Sequence, residues 1–307
     1  MTSKHVDIDT MSRAPLGGES RRSFAALERV AATARWLSIS TVAASQAGHV
    51  GGPLSAMDLI TALYFDQMRI DPAEPDRIER DRFVLSKGHS SIALYSVMAL
   101  RGYFDVLELA TFDKIDSRLQ GHPDRTRLPG LDASSGSLGQ GLSFGMGLAL
   151  GARMAGRDSH TWVMLGDGEI QEGMVWEAVH VAARYRLANL TAIVDHNGLQ
   201  QYGWEPDGND RGDRGDPWRG IDLGAVFRSF GWRVIEIDGH DFPQILAAYE
   251  LARGANQTRP TVILASTIKG KGISYAEHQH AWHNGIASQE QLDRARVDLG
   301  LDDIGEM

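Results

Sequence analysis

The 307-residue chain has no cysteine. That absence excludes disulfides, thiolate metal sites, cysteine nucleophiles and iron–sulfur clusters together, and it fits a reducing compartment. Basic charge is also short: 31 Lys and Arg stand against 40 Asp and Glu, for a formal net charge of −9. Nucleic acids and anionic membranes are bound through basic surfaces, so neither is an expected partner. A small anion held by a local site is not excluded. No apolar leader opens the chain, because residues 1–10, MTSKHVDIDT, are polar. The most apolar later stretch, 138–155, is broken by Gln140, Ser143, Arg153 and several glycines, too polar for a membrane span. A cytoplasmic protein is expected. What is present, 42% hydrophobic and 23% charged residues, is ordinary globular usage. A chain near this length buries roughly 75% of its unfolded surface, so a full core is available.

Residues 1–19, polar with Pro15 and Gly17-Gly18, read as a loose arm, and 20–307 as a single α/β domain without repeats or an internal linker. Phe24, Leu27, Val30, Ala31, Ala34 and Leu37 recur at helical spacing within 20–46. Pro53 is expected to open a second helix, where its missing N–H costs nothing. Strands are expected over 82–85, 161–165, 190–194, 232–237 and 261–265. Helices are expected over 90–101, 170–186, 221–230, 242–253 and 289–299. Near-continuous apolar strands alternating with helices imply a doubly wound, mainly parallel sheet with helices on both faces. Ligands of such folds sit beyond the carboxyl ends of the strands, so residues directly after strands carry most weight.

Gly166-Asp167-Gly168 stands directly between a strand and a helix. A glycine turn of this kind lets a diphosphate approach backbone N–H groups at a helix start, and Asp167 offers an oxygen to a hard cation. Alone, it also reads as an ordinary strand-to-helix turn with a capping aspartate. The next strand ends in Asp195-His196-Asn197-Gly198-Leu199, which puts Asn197 at the neighbouring carboxyl end. A carboxylate and an amide oxygen on adjacent strand ends make half an octahedral Mg²⁺ site. A backbone carbonyl, phosphate oxygens and water could complete it.

Gly166-Asp167-Gly168 followed by Asn197 resembles the thiamine-diphosphate-binding motif, and the segments around it resemble transketolase. These are EIQEGMVWEAVHVAARYRLANL (169–190), AGHVGGPLSAMDLITALYF (47–65), LSKGHSSIALY (85–95), QGHPD (120–124) and SSGSLGQGLSFGMGLALGARMAG (134–156). The resemblance runs from about residue 24 to about residue 290. It covers only the N-terminal, diphosphate-binding half of an ordinary transketolase, so the chain resembles the N-terminal subunit of a split one. It implies thiamine diphosphate with Mg²⁺ (or Ca²⁺ or Mn²⁺), the ion held by Asp167, Asn197 and the Leu199 carbonyl. Gly166 and Gly168 belong to the cofactor turn, and Gly136 and Leu138 would contact the cofactor through their backbones. His49, His89 and His122 each lie in or beside a glycine- or proline-containing turn. By resemblance His89 serves the diphosphate, while His49 and His122 face the sugar, His49 near the cofactor as well. Of His280 and His283, one would face the diphosphate or substrate, and His280 is favoured; Asn284 and Val50 depart from the family pattern. Glu172 is read either as helix-end electrostatics or, by resemblance, as part of a carboxylate network joining active sites between subunits.

The reaction implied is transfer of a two-carbon ketol unit from a ketose, as a sugar phosphate, to an aldose through the cofactor's enamine. No segment matches the glutamate, stacking aromatics or phosphate-gripping arginines of the family's pyrimidine-binding domain. A partner chain carrying that domain is therefore expected, in an α₂β₂ assembly. Alternatives are the α subunit of a 2-oxo acid dehydrogenase, a deoxyxylulose-phosphate-synthase-like chain, which Lys269-Gly270-Lys271-Gly272 does not decide, and a non-catalytic cofactor-binding half. The later glycines of 134–156 read as tight helix packing, His5 and His160 as surface residues, and His180 as structural. The loop 203–220 begins like a calcium loop at Asp207 and Asn209, but Arg211 replaces a needed oxygen ligand. It reads as a solvated loop that closes over the site.

Overall fold

The computed structural model describes residues 23–201, 218–254 and 256–301. The expected arm, His5 and most of the loop 203–220 lie outside them. Five strands form one sheet: β1 (Arg82–Leu85), β2 (Thr161–Gly166), β3 (Leu190–His196), β4 (Arg233–Asp238) and β5 (Thr261–Ser266), in spatial order β1-β2-β3-β5-β4. Every pairing is parallel. All five carboxyl ends therefore lie along one edge of the sheet.

Strands β1, β2, β3 and β5 are largely apolar on both sides because both sides are covered, while the edge strand β4 is partly exposed. Phe83, Leu85, Trp162, Met164, Ile193 and Ile263 join a core with α1 (Phe24–Ser45), α2 (Gly51–Ala62), α3 (Ser91–Arg101) and α7 (Phe242–Arg253). Val84, Val163, Leu165, Ala192, Val194 and Val262 join a second core with α4 (Gln140–Met154), α5 (Gly173–Arg184) and α6 (Leu223–Ser229). Alternate residues of one strand thus feed opposite cores, as the pleat requires. A last helix, α8 (Gln289–Asp298), starts with a capping box in which the Ser288 and Gln291 side chains satisfy each other's backbone N–H. No described helix is long and apolar enough to cross a membrane.

Several boundaries differ from the sequence reading. α2 begins at Gly51, so Pro53 is its third residue rather than its first. Its missing N–H is still one of the four that a helix start leaves unused. A π-helical turn over Leu63–Gln67 extends α2. The helix expected over 170–186 is a short 3₁₀ turn, Glu169–Gln171, followed by α5. Glu172 between them is extended, and it is exposed. His160 is buried rather than on the surface, its Nε2 2.8 Å from Thr191 Oγ1. Burial pushes its imidazole down to about 3, so it packs as a neutral ring.

The glycines of α4 divide in two. A Cβ at Gly141 would stand 2.3 Å from Ser86 Oγ, and one at Gly145 2.2 Å from Val163 Cγ2, so these do pack tightly, against the residue after β1 and against β2. A Cβ at Gly147 or Gly151 would meet nothing within 4 Å, which corrects the expectation of close packing for the later pair. Gly145→Ala is expected to cost about 1–3 kcal/mol by overpacking. Gly147→Ala is expected to gain roughly 0.5–1 kcal/mol by restricting the unfolded backbone in a helix. Thermal melts of the two variants check this pair of opposite signs; equal shifts would contradict it.

Candidate active site

Four neighbouring carboxyl ends build the site. β1 is followed by Ser86-Lys87-Gly88-His89, β2 leads through Gly166 to Asp167-Gly168, β3 ends in Asp195-His196 before Asn197, and β5 runs through Ser266-Thr267-Ile268 into Lys269. Asp195 lies at their centre and is fully buried. Its Oδ2 accepts hydrogen bonds from Lys87 Nζ and, at 2.6 Å, from Ser55 Oγ of α2, and its Oδ1 accepts one from Thr267 Oγ1. Burial alone would raise the Asp195 carboxyl, but the Lys87 ammonium and the two hydroxyls hold it below the usual range.

Asp167, directly after β2, is its neighbour. Its Oδ1 accepts from Gly168 N at 2.8 Å and its Oδ2 from Gly198 N at 2.6 Å, so the two strand-end turns are clipped together. Burial, and then the negative charge of Asp195, push the Asp167 carboxyl up to about 6. Asn197 Oδ1 accepts from Leu199 N at 3.1 Å. The expected cation ligands Asp167, Asn197 and Leu199 therefore lie on two interlocked turns. Among the described residues, no group of three or more His, Cys, Asp or Glu could hold a metal ion by itself. Any ion here also needs backbone and ligand oxygens.

The loop 135–139 closes against this edge. Gly88 is a close-approach point, since a Cβ there would stand 2.7 Å from both Gly136 N and Ser135 Oγ. Gly136 has φ +148°, a conformation that favours glycine. Buried Glu169 pins the loop: its Oε1 accepts from Ser86 Oγ at 2.5 Å and Gly139 N at 2.9 Å, and its Oε2 from Gly166 N at 3.1 Å. Burial raises its carboxyl. Leu138 is 39% exposed at the rim.

A histidine cluster lies beside these turns. The His49 ring lies 5.2 Å from His89, 6.0 Å from His122 and 5.1 Å from His283, centroid to centroid, and His89 lies 5.2 Å from His283. The structure thus brings His49, His89 and His122 together as expected from their turns. It places His283, and not the favoured His280, beside them: both sit on one 3₁₀ turn, His280–His283, but His280 is exposed. Burial and neighbouring positive charge lower His49 to about 4 and His283 to about 3, and lower His89 well below its ordinary value. These three rings are neutral at pH 7.

Three features were missed in the sequence. Lys87 and Lys269 are buried, at 1% and 2% exposure. Lys269 Nζ donates to the Gln200 carbonyl at 2.8 Å, the Leu199 carbonyl at 3.3 Å and His283 Nδ1 at 3.2 Å. An ammonium only donates, so the His283 proton sits on Nε2. Burial and then Lys87 lower Lys269 to about 8, which leaves it largely charged at pH 7. The third is a brace behind Lys269. Ile268 N donates to His240 Nε2 at 2.9 Å, His240 Nδ1 lies 2.7 Å from Asp58 Oδ2, and Arg35 pairs with both oxygens of Asp58 at 2.9 and 2.6 Å. The KGKG segment was the available signal for Lys269. No local signal marked His240.

A divalent ion held by Asp167 would compete with its proton, so binding through this carboxylate is expected to be steady above pH ~7 and to weaken about tenfold per unit below the carboxyl's value of about 6. The sign for stability is opposite. The folded value lies above the unfolded one, so the metal-free fold is favoured at low pH and loses that contribution as pH rises through about 6. Asp167→Asn is expected to raise the metal-free Tm by a few degrees at pH 8, less at pH 5, and to abolish ion binding. Calorimetric titration with Mn²⁺ and thiamine diphosphate across pH 5–8, with melts at both ends, checks both; ion affinity flat in pH would contradict the first.

Known proteins share this architecture. The family described as "Transketolase, thiamine diphosphate binding domain" matches residues 26–305. A 6-deoxy-6-sulfo-D-fructose transketolase subunit from Clostridium sp. (strain MSTE9) is 40% identical, over 89% of this chain and 96% of that protein. An apulose-4-phosphate transketolase subunit from Phocaeicola vulgatus is 38% identical, over 84% of this chain and 88% of that protein. The crystal structure of transketolase from Campylobacter jejuni superposes with a TM-score of 0.82 at 30% identity, covering 92% of this chain and 44% of that one. The expected parallel α/β fold is thereby borne out, and the chain belongs to the transketolase family of thiamine-diphosphate-dependent transferases, whose cofactor-binding domain it carries.

Proposed function

We propose that this chain is the thiamine-diphosphate-binding subunit of a two-chain transketolase that moves a two-carbon ketol unit from a ketose, as a sugar phosphate, to an aldose. The observation that carries the reading is the strand-edge site of Asp167, Asn197 and neutral histidines, in a chain matched along nearly the full length of relatives named as transketolase subunits. Those two relatives are named for different ketoses. That fits a division in which this chain holds the cofactor and its partner reads much of the sugar.

The residues present fit the cofactor. His49 Nδ1, Ser90 Oγ, Ser135 Oγ and Gln200 Nε2 are buried polar atoms with no hydrogen-bond partner in the chain, around the loops the diphosphate would enter. Such groups are costly unless a ligand satisfies them. Asp167 and Asn197, with the Leu199 carbonyl, would hold Mg²⁺ or a similar ion on the diphosphate. Gly136 and Leu138 would meet the cofactor through their backbones. Thiamine diphosphate supplies, when bound, the nucleophile and electron sink for ketol transfer. The chain's task is to hold it, orient it and donate hydrogen bonds. His89 and His283 are assigned to the diphosphate side. His49, half-buried among them, and His122, exposed at the cluster's edge, are assigned to sugar oxygens, to which an imidazole N–H can donate. Glu172, exposed at the start of α5, is assigned to the contact between subunits in an α₂β₂ assembly.

Affinity capture of the chain from its native lysate is expected to recover a stoichiometric partner bearing a pyrimidine-binding domain. The reconstituted pair should transfer ketol units, and the single chain should not. His49→Ala in the pair is expected to lower kcat/KM by about 10²-fold or more. Full turnover by the purified single chain would sink the two-chain reading.

A further inference from the structure

The amino ends of the strands carry a second cleft, on the opposite edge of the sheet from the candidate active site. The end of α5, the turn before β4 and the segment before β5 enclose it, with a volume of about 720 Å³. Three arginines line it: Arg184 and Arg186 at the end of α5, and Arg259 shortly before β5. His180, Thr258 and the half-buried Phe230 complete its wall, and no Asp or Glu among the described residues lines it. The three arginines are exposed, and among the described residues none of their guanidinium groups has an ion-pair or hydrogen-bond partner. Exposed arginines elsewhere are matched: Arg69, Arg77, Arg228 and Arg294 each meet a carboxylate. In a chain of net charge −9, three unmatched positive groups around one cleft set its local potential against that of the whole surface.

The fold does not need these arginines where they stand. A cation in the last turn of a helix answers the helix dipole, which accounts for Arg184 alone. The carbonyl of Tyr185, just past that end, already receives Arg153 Nη1 at 2.5 Å. Arg186 has φ +49°, the left-handed region that glycine or asparagine takes more easily after a helix. Arg259 lies outside any helix. The cleft is also kept open between them. Gly231, at φ +88°, puts no side chain into it, and a Cβ there would meet only Ala183 Cβ, at 4.0 Å.

We propose that this cleft is a binding site for a small organic phosphate with two or more phosphate groups. A guanidinium presents paired N–H donors that match phosphate oxygens, and it keeps its charge at any cellular pH. Arg184, Arg186 and Arg259 supply the charge, and Thr258 and His180 supply further polar contacts. The volume lies in the range of small-molecule sites, well beyond a bare phosphate. The Phe230 ring, stacked at 24° on Trp176 and edge-on to His180, gives the carbon part of the ester an apolar wall. Sugar bisphosphates and nucleotides share this chemistry, and the experiment separates them. The site makes no use of the cofactor reading above.

The test uses the full chain in EDTA, with fructose 1,6-bisphosphate, ATP, inorganic phosphate and citrate as probes. Calorimetry and ligand-induced melting shifts report binding. At least one of the two esters is expected to bind about tenfold or more tightly than phosphate or citrate, and the one that binds names the source. Arg186→Gly and Arg259→Gln are each expected to weaken that binding about tenfold or more. Asp167→Asn, on the other edge of the sheet, is expected to leave it unchanged. Arg186→Gly relieves the backbone, so its ligand-free Tm is expected to be no lower than that of the wild type, which separates a binding role from a structural one. Binding of neither ester, citrate bound as tightly as the better ester, or wild-type affinity in either arginine variant overturns the proposal. Loss of ester binding in Asp167→Asn also overturns it, because the ester would then sit at the active site. So does a marked fall in the ligand-free Tm of Arg186→Gly, because Arg186 would then be a strut.

Discussion

One carboxylate holds the working edge of this protein together. Asp195 ends β3, and it receives Lys87 from beyond β1, Ser55 from α2 and Thr267 from beyond β5. The amide of Asn197 also approaches it, at 3.4 Å. Four separate segments are thus tied to one buried point. Removing it would orphan a buried ammonium, which is far costlier than losing a surface pair. The same charge has a chemical effect next door. After burial, it is the largest influence that raises the Asp167 carboxyl.

The sheet explains why one carboxylate can do this. In a wholly parallel sheet every strand delivers its carboxyl end to the same side, and both faces are sealed by helices. Polar ground opens along the edge formed by the carboxyl ends, where backbone N–H groups and loop side chains have no ladder to join. Glu169 fills part of that gap by capping Gly139 and Gly166. What it leaves unpaired is the ground on which a ligand can be bound.

Much of this was legible in the sequence, for local reasons. Strands buried on two faces read as apolar runs, and the turns after them, Gly166-Asp167-Gly168 and Asp195-His196-Asn197, are contiguous in the chain. Helix starts were read less well. The first turn of the helix after Asp167 is spent on Glu169's contacts, so the regular helix begins only at Gly173. The misses at the site share one cause. Lys87 finds Asp195 across 108 positions of sequence, and Asp58 finds His240 across 182, distances over which no spacing rule operates. His280 and His283 have equivalent residue types and neighbouring positions; only the docking of their turn against His49 and Lys269 decides which one faces inward. Gly147 and Gly151 repeat the spacing of Gly141 and Gly145, yet Gly141 and Gly145 meet Ser86 and β2 while Gly147 and Gly151 meet nothing within 4 Å.

Histidine is usually the residue through which a protein senses acidity. The packing of His49, His89 and His283 removes that property here. With His49 near 4, His283 near 3 and His89 lower than usual, the rings hold no proton to lose across the range in which cells live. They act as fixed dipoles, a hydrogen-bonding lining whose pattern of donors stays the same as the medium acidifies or becomes more basic. A cofactor seated against them would meet an unchanging surface. Mild swings in acidity would then be felt through the charged groups around the rings and through the substrate, and not through the imidazoles themselves.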